Sequence, residues 1–239
     1  MASTLAVDHD QAGPYGAVGR SAWLDVDWSA HLRWLTVAGR PVNVCDLGPT
    51  DGEAIVWIHG LSGCWQNWLE NVPALADAGY RCVALDLPGF GCSPMPAERI
   101  TIARYADLID ELLKALGIQA ACVVGNSMGG FAAAELAIAH PQRVERLVLI
   151  SAAGIAIEHD RIGDRIGALR RAEFAINAYG GWLASRSDRV ARRARLRQAA
   201  FRVVAAHPDQ LPAALVAENL RASGTPGFLD ALEALTSYP

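Results

Sequence analysis

The chain has 239 residues, of which 52% are hydrophobic and 19% are charged, with a formal net charge of −4. A chain of this size and composition can bury a large core, which excludes a disordered protein. The modest acidic charge gives no general attraction to nucleic acid or to membranes.

The amino-terminal residues 1–20 read as a loose leader, since they contain Gly13, Pro14 and Gly16. They lack a basic start and an apolar run, so they do not form a secretory signal. No apolar stretch is long enough to span a bilayer. Residues 31–47 then hold two runs with β character, separated by Ala38-Gly39-Arg40, which predict an antiparallel hairpin.

Short, nearly continuous apolar runs follow at regular intervals, as expected of strands buried on both faces. Helical patterns alternate with them, which indicates right-handed crossovers and a mostly parallel sheet in an α/β core over residues 21–155. The apolar runs cover residues 54–60, 81–89, 120–127 and 145–152, and the helical patterns cover 65–78, 101–116 and 128–140.

The pattern changes after this core, because residues 156–239 contain no strand-like run. They form a helical block that is either a second domain or a lid over the carboxyl edge of the sheet. Its predicted helical segments are 161–184, 187–206, 210–222 and 227–236.

Residues 125–130 read GNSMGG, directly after a predicted strand and directly before a predicted helix. This pattern is typical of a serine nucleophile on a sharp strand-to-helix turn. Gly125 and Gly129 supply the missing bulk on either side of Ser127, and Gly130 lets the helix approach the sheet. The alternative is a glycine-rich turn with an incidental serine.

The segment His59-Gly60-Leu61 follows the strand at 54–58, where an oxyanion-binding loop is expected. The backbone N–H groups of Leu61 and Met128 are the predicted oxyanion donors. We interpret His59 as a residue that holds this loop rather than as a general base.

Asp86 begins the segment DLPGFGCS, whose proline and glycines predict a tight turn. We interpret its carboxylate as a brace for backbone N–H groups, with a catalytic acid as the less favoured alternative.

Together, HG (59–60), DLPGFGCS (86–93) and GNSMGG (125–130) resemble the α/β-hydrolase superfamily, in its lid-bearing esterase and lipase-like branch. The resemblance implies an α/β-hydrolase fold, a Ser127 nucleophile, oxyanion amides from Leu61 and Met128, structural support from His59, Gly60, Asp86, Gly125 and Gly129, and no metal or organic cofactor. It also implies an acid and a histidine after the lid, on two further strands. We expect these to be missing, because the sequence stops at Pro239 within or just past the predicted lid.

Three histidines follow Ser127. His140 ends the helix that starts at the serine, about 18 Å away at ~1.5 Å per residue, so it cannot act as the base. His159 and His207 are less favoured as bases than as solvated residues. Glu158 and Asp160 are candidate acids.

Three functions stay open. The first is a carboxylesterase, inactive or impaired as this chain. The second is a hydrolase of the C–C bond of ring-fission products, which GNSMGG resembles; the loop 59–63 lacks the extra glycine and proline expected for it. The third is a non-catalytic α/β-hydrolase-like module.

The expected ligand is a small ester or a related carbonyl compound, with no nucleic-acid partner. The apolar strand predicted at 145–151 would have no outer neighbour in the sheet. We therefore expect edge-to-edge homodimerisation, poor solubility, or a chain that is only part of a longer protein. Five scattered cysteines predict reduced thiols and a cytoplasmic location.

More than half of the arginines fall between Arg161 and Arg202. We interpret them as solvated helix faces, with an anion- or lipid-binding surface as the alternative.

Overall fold

The computed structural model describes residues 21–154, 181–182, 184–202, 205, 207–222 and 226–238. The predicted leader over residues 1–20 lies outside this part. The strands are β1 (Leu32–Val37), β2 (Arg40–Leu47), β3 (Ala54–Ile58), β4 (Arg81–Leu85), β5 (Ala121–Asn126) and β6 (Val144–Ile150). The α-helices are α1 (Val72–Asp77), α2 (Ile102–Ala115), α3 (Met128–Ala139), α4 (Ser187–Arg192), α5 (Ala194–Phe201), α6 (Ala213–Ala222) and α7 (Phe228–Thr236).

The six strands form one sheet in the order β1-β2-β4-β3-β5-β6. The β1–β2 hairpin is antiparallel and pairs antiparallel with β4, whereas the pairs among β3, β4, β5 and β6 are all parallel. This confirms the predicted mostly parallel sheet with an amino-terminal hairpin. Ile58 at the end of β3 pairs with Gly125 near the end of β5, so the loops that follow these two strands meet at one edge.

The sheet separates two apolar layers. On one side α2 and α3 contribute Leu108, Leu112 and Leu136 to the larger core. On the other side a tryptophan-rich cluster covers the sheet, and the rings of Trp57 and Trp68 lie 5.0 Å apart. The central strands are apolar on both faces because both layers cover them.

The sequence predicts one helix over 65–78, whereas the structure has two separate elements in this range. A 3-10 helix covers Trp65–Trp68, and α1 begins at Val72. Pro73 lies in the first turn of α1. Proline is tolerated there because the N–H groups of the first turn have no partner within the helix. The other two core helices match their predicted ranges within one residue.

Helices α4 to α7 form the described part of the helical block, and the predicted segment 161–184 lies almost entirely outside the described residues. This block contacts the loops that follow β3 and β4. Asn67 donates a hydrogen bond to Asn219 of α6, and the Gly227 N–H donates to the Gly89 carbonyl at 3.0 Å. None of the helices in the described part is long and apolar enough to cross a membrane.

Strand β6 lies at one end of the sheet and, within the described residues, pairs only with β5. Four consecutive apolar side chains on it are unusually exposed. The exposed fractions are 37% for Leu147, 43% for Val148, 41% for Leu149 and 40% for Ile150. Aliphatic side chains in a central strand are normally buried, so this edge carries an uncovered apolar surface.

Candidate active site

Ser127 lies between β5 and α3, at the carboxyl edge of the sheet. Its backbone has φ 50° and ψ −116°, a conformation that a serine rarely adopts and that costs on the order of 1–3 kcal/mol. Two hydrogen bonds hold it there: the Ser127 N–H donates to the Ile150 carbonyl at 3.0 Å, and the Ala153 N–H donates to the Ser127 carbonyl at 3.0 Å. The end of β6 therefore fixes the strained turn.

The glycines around Ser127 lie where two segments of backbone approach each other closely. A Cβ at Gly125 would lie 2.3 Å from the Gly129 carbonyl oxygen. A Cβ at Gly129 would lie 2.3 Å from the Ile58 oxygen and 2.4 Å from the His59 oxygen. The first turn of α3 therefore packs directly on the ends of β3 and β5. A side chain at either glycine would push α3 away from these strands.

His59 is fully buried and uses both of its ring nitrogens. Nε2 lies 3.0 Å from the Leu87 N–H, so it must accept that hydrogen bond. Nδ1 lies 2.8 Å from the Gly60 carbonyl oxygen, so it must carry the proton and donate. Burial lowers the pKa of His59, although the Asp86 charge and the Gly60 carbonyl oppose this shift. His59 is thus a neutral link between two loops.

The loop at Gly60 touches the serine. A Cβ at Gly60 would lie 2.9 Å from Asn126 Oδ1 and 3.1 Å from Ser127 Cβ. The next residue is Leu61, and neither its N–H nor that of Met128 has an acceptor among the residues that the structure describes. Two unpaired backbone donors thus belong to the segments that meet at Ser127, where the sequence predicts an oxyanion hole.

Asp86 is fully buried and accepts three hydrogen bonds. The donors are the Trp65 N–H at 2.8 Å, the Cys92 N–H at 2.9 Å and Asn43 Nδ2 at 2.8 Å. They come from three different segments, so the carboxylate ties β2 and the loops after β3 and β4 together. These are the contacts of a bracing residue.

The Ser127 hydroxyl has no hydrogen-bond partner in the described part of the chain. His140 lies at the opposite end of α3, where Nε2 is 3.0 Å from Asp107 Oδ1. His207 precedes the 3-10 helix Pro208–Gln210 and does not bond to the serine. His159, like Glu158 and Asp160, lies outside the described residues.

The thiols and the acidic side chains do not form a metal centre. Within the described residues, no group of three or more His, Cys, Asp or Glu side chains is placed to hold a metal ion. All five cysteines are free; Cys45 and Cys82 are buried, and burial raises their pKa to about 12 and about 11. Cys122, in β5, is half-buried.

Two residues that support the site were not predicted. Asn126 donates from Nδ2 to the Ile150 carbonyl at 3.0 Å, the same oxygen that accepts the Ser127 N–H. Asn43 pairs with Asp86 and its N–H donates to Ser93 Oγ at 2.9 Å. A polar residue within the apolar run of β2 was the available signal for Asn43, because buried amides require partners.

A family model for the alpha/beta hydrolase fold matches residues 53–221 of this chain. The chain belongs to this family. The matched range begins just before β3 and includes Ser127 and the helical block as far as α6.

Curated relatives of the hydrolase match shorter stretches. The dihydrolipoyllysine-residue acetyltransferase component of the acetoin cleaving system from Cupriavidus necator is 39% identical over 145 residues, which is 61% of this chain and 35% of that protein. A 2-hydroxy-6-oxo-6-phenylhexa-2,4-dienoate hydrolase from Comamonas testosteroni is 37% identical over 46% of this chain and 40% of its own length. The matches thus span well under half of each relative.

A solved structure of a hydrolase from Pseudomonas aeruginosa superposes with a TM-score of 0.64 at 21% identity, and the match covers 87% of this chain and 74% of that one. At this identity the likeness establishes the fold alone.

We predict that Gly129→Ala lowers the free energy of unfolding by about 3 kcal/mol, because the new Cβ would overlap the Ile58 and His59 carbonyl oxygens. Urea unfolding followed by circular dichroism measures this. The matched control is Gly181→Ala, a helical glycine whose Cβ would meet nothing within 4 Å. The control is expected to be neutral or to stabilise by up to about 1 kcal/mol. Equal stability of the two variants would contradict the close approach.

Proposed function

We propose that this hydrolase is a serine hydrolase whose nucleophile is Ser127, and that its first substrate class is a small carboxylic ester. The observation that carries the proposal is the strained φ of 50° at a half-buried serine beside two unpaired backbone donors. Strain of this kind persists only where the surroundings impose it, and it concentrates at functional positions.

The proposed chemistry divides into two steps. Ser127 Oγ attacks the ester carbonyl, and the resulting oxyanion accepts hydrogen bonds from the Leu61 and Met128 N–H groups. The amino end of α3 adds a positive potential at the same place. The alcohol leaves with a proton, and water then adds to the acyl carbon and releases the carboxylic acid and the serine hydroxyl.

The proton transfers need a base, since a serine hydroxyl is a weak nucleophile at neutral pH. None of the described side chains hydrogen-bonds to Ser127 Oγ. We therefore propose that the base and its acid do not belong to the described residues, and that the chain alone reacts slowly. His59 is unsuited to the role because both of its nitrogens are occupied.

We predict slow labelling of the chain by a fluorophosphonate probe, located at Ser127 by intact mass and peptide mapping. Ser127→Ala is expected to abolish the labelling, whereas Ser151→Ala, at an exposed serine directly after β6, is expected to retain it. Added imidazole is expected to accelerate the labelling of Ser127, because it supplies the missing base in solution. His159→Ala and His207→Ala are expected to change neither rate.

Each alternative gives a different result. A folded chain that is never labelled, with or without imidazole, would support the non-catalytic module and contradict the proposal. Loss of labelling in one histidine variant, restored by imidazole, would identify that histidine as the base.

A second candidate function is hydrolysis of a C–C bond beside a ketone. The curated relative from Comamonas testosteroni is named a 2-hydroxy-6-oxo-6-phenylhexa-2,4-dienoate hydrolase, so its printed substrate carries a ketone beside a dienoate, and its match includes 46% of this chain. The same serine would attack the ketone carbonyl, and the electron pair of the broken C–C bond would leave with a proton on the dienol fragment. The acyl-enzyme and its hydrolysis would then be as for an ester.

We predict that, in the presence of imidazole, Ser127-dependent turnover of p-nitrophenyl acetate exceeds that of a 2-hydroxy-6-oxo-dienoate. Release of p-nitrophenolate and loss of the dienoate absorbance report the two reactions, each corrected with Ser127→Ala. Faster loss of the dienoate would make the C–C bond hydrolase the better description.

We also propose that residues 156–239 act as a lid over the carboxyl edge of the core, residues 21–155. The contacts of Asn219 with Asn67 and of Gly227 with Gly89 support this, because they join the block to the segments that follow β3 and β4 at the carboxyl edge of the sheet. The small-molecule substrate would enter between the two. The five free thiols support a cytoplasmic location.

We further propose homodimerisation through the outer edge of β6, because this strand has exposed apolar side chains and an outer backbone edge with no partner strand among the described residues. Sedimentation velocity is expected to show a dimer. Val148→Lys is expected to shift the chain to monomer, since a charged edge residue disfavours strand addition. Ile138→Lys is the control, because Ile138 is exposed but lies on α3. A monomeric parent chain would contradict this proposal.

A further inference from the structure

The arginines of the described chain fall into two groups. Outside residues 181–202, each of them has a partner within the structure. These are Arg33 and Arg81 with Asp46, Arg40 with Glu98, Arg99 with Glu233, Arg104 with the Arg99 carbonyl, Arg143 with Asp110, Arg146 with Glu53 and Arg221 with Asp188 and Glu218. The fold thus provides each of these arginines with an ionic or hydrogen-bonding partner.

The second group lies on and around α4 and α5 and differs in its lack of partners. Its members are exposed, and none has an acidic or carbonyl partner among the described residues. We call this group the arginine patch; it consists of Arg189, Arg192, Arg193, Arg195 and Arg202.

The local charge is strongly positive although the whole chain is acidic. Residues 186–202 contain seven arginines against one acid, Asp188, and Asp188 is already paired with Arg221. Arg197 is the exception within this stretch, because it donates to the carbonyls of Ala191 and Asp209. Arg189 and Arg192 are three residues apart on one helix, where like charges repel. The fold does not compensate this repulsion within its described part.

Exposed apolar side chains accompany the patch. Trp182 is 48% exposed and Leu196 is 37% exposed. The guanidinium of Arg186 lies 4.7 Å from the centre of the Trp182 ring, so a cation and an indole occupy one surface. Helical surfaces that combine arginine with exposed tryptophan and leucine suit the headgroup region of a bilayer, where the cations meet phosphate and the apolar groups enter the acyl boundary.

We infer that the arginine patch, with Trp182 and Leu196, is a docking surface for an anionic phospholipid membrane. The protein would lie on the membrane surface through α4 and α5. The cations would supply most of the binding and would make it dependent on salt. Nucleic acid is the less favoured ligand, because phosphate alone would not account for exposed Leu196. The inference does not depend on Ser127.

The test is co-sedimentation of the full chain with vesicles of phosphatidylcholine alone or with about one third phosphatidylglycerol. We predict binding to the anionic vesicles, weaker binding to the neutral ones, and loss of binding at high salt. The variant with Arg192→Glu, Arg193→Glu and Arg195→Glu is expected to bind about 100-fold more weakly, at roughly fivefold for each lost positive charge. The matched control replaces the same three arginines by lysine and is expected to retain binding.

Further variants separate the alternatives. Trp182→Ala is expected to weaken vesicle binding, and Ser127→Ala is expected to leave it unchanged. Circular dichroism melts establish that each variant folds; the substituted arginines are exposed, so their melting temperatures are expected to match the parent chain. No binding to anionic vesicles, or equal binding by the glutamate variant, would overturn the inference. So would tighter binding to a DNA duplex than to the vesicles, with no effect of Trp182→Ala.

Discussion

The carbonyl oxygens of Ile58 and His59 lie where a side chain at position 129 would have to be, and the geometry of the site depends on this contact. It brings the first turn of α3 onto the end of β3 without an intervening layer of atoms. The serine that precedes this turn is consequently lifted above the sheet with a positive φ. The Gly60 loop, which leaves β3 at the same point, lies close against Ser127 Cβ.

Two buried polar side chains hold these loops, and both His59 and Asp86 have hydrogen-bond partners. His59 links the loop after β3 to Leu87, and Asp86 links that loop to β2 and to its own turn. A satisfied buried network is stiff, since breaking any one bond leaves a desolvated group without a partner. The backbone donors at Leu61 and Met128 differ from these groups, because neither has an acceptor among the residues that the structure describes. Such preorganised donors avoid reorganisation when a negative charge forms.

Much of this arrangement was predictable from local patterns. Apolar runs and helical periodicity identified β3, β4, β5 and β6, because both faces of these strands are covered, and glycine spacing around Ser127 identified the turn. The break between Trp68 and Val72 was not predicted, since apolar periodicity continues across it and only Pro73 marks the new start. Asn126 was also missed, because its role depends on the carbonyl of Ile150, which lies 24 residues away in sequence. Contacts between distant segments have no local signature.

The Ile150 carbonyl connects the turn at Ser127 to the edge strand of the sheet. It accepts from the Ser127 N–H and from Asn126 Nδ2, and it belongs to the last residue of the edge strand. Any change in the twist of β6 would therefore move the acceptor that holds the strained serine. The turn at Ser127 is thus coupled to the edge strand, and a partner strand added to this edge would also change the geometry of the turn.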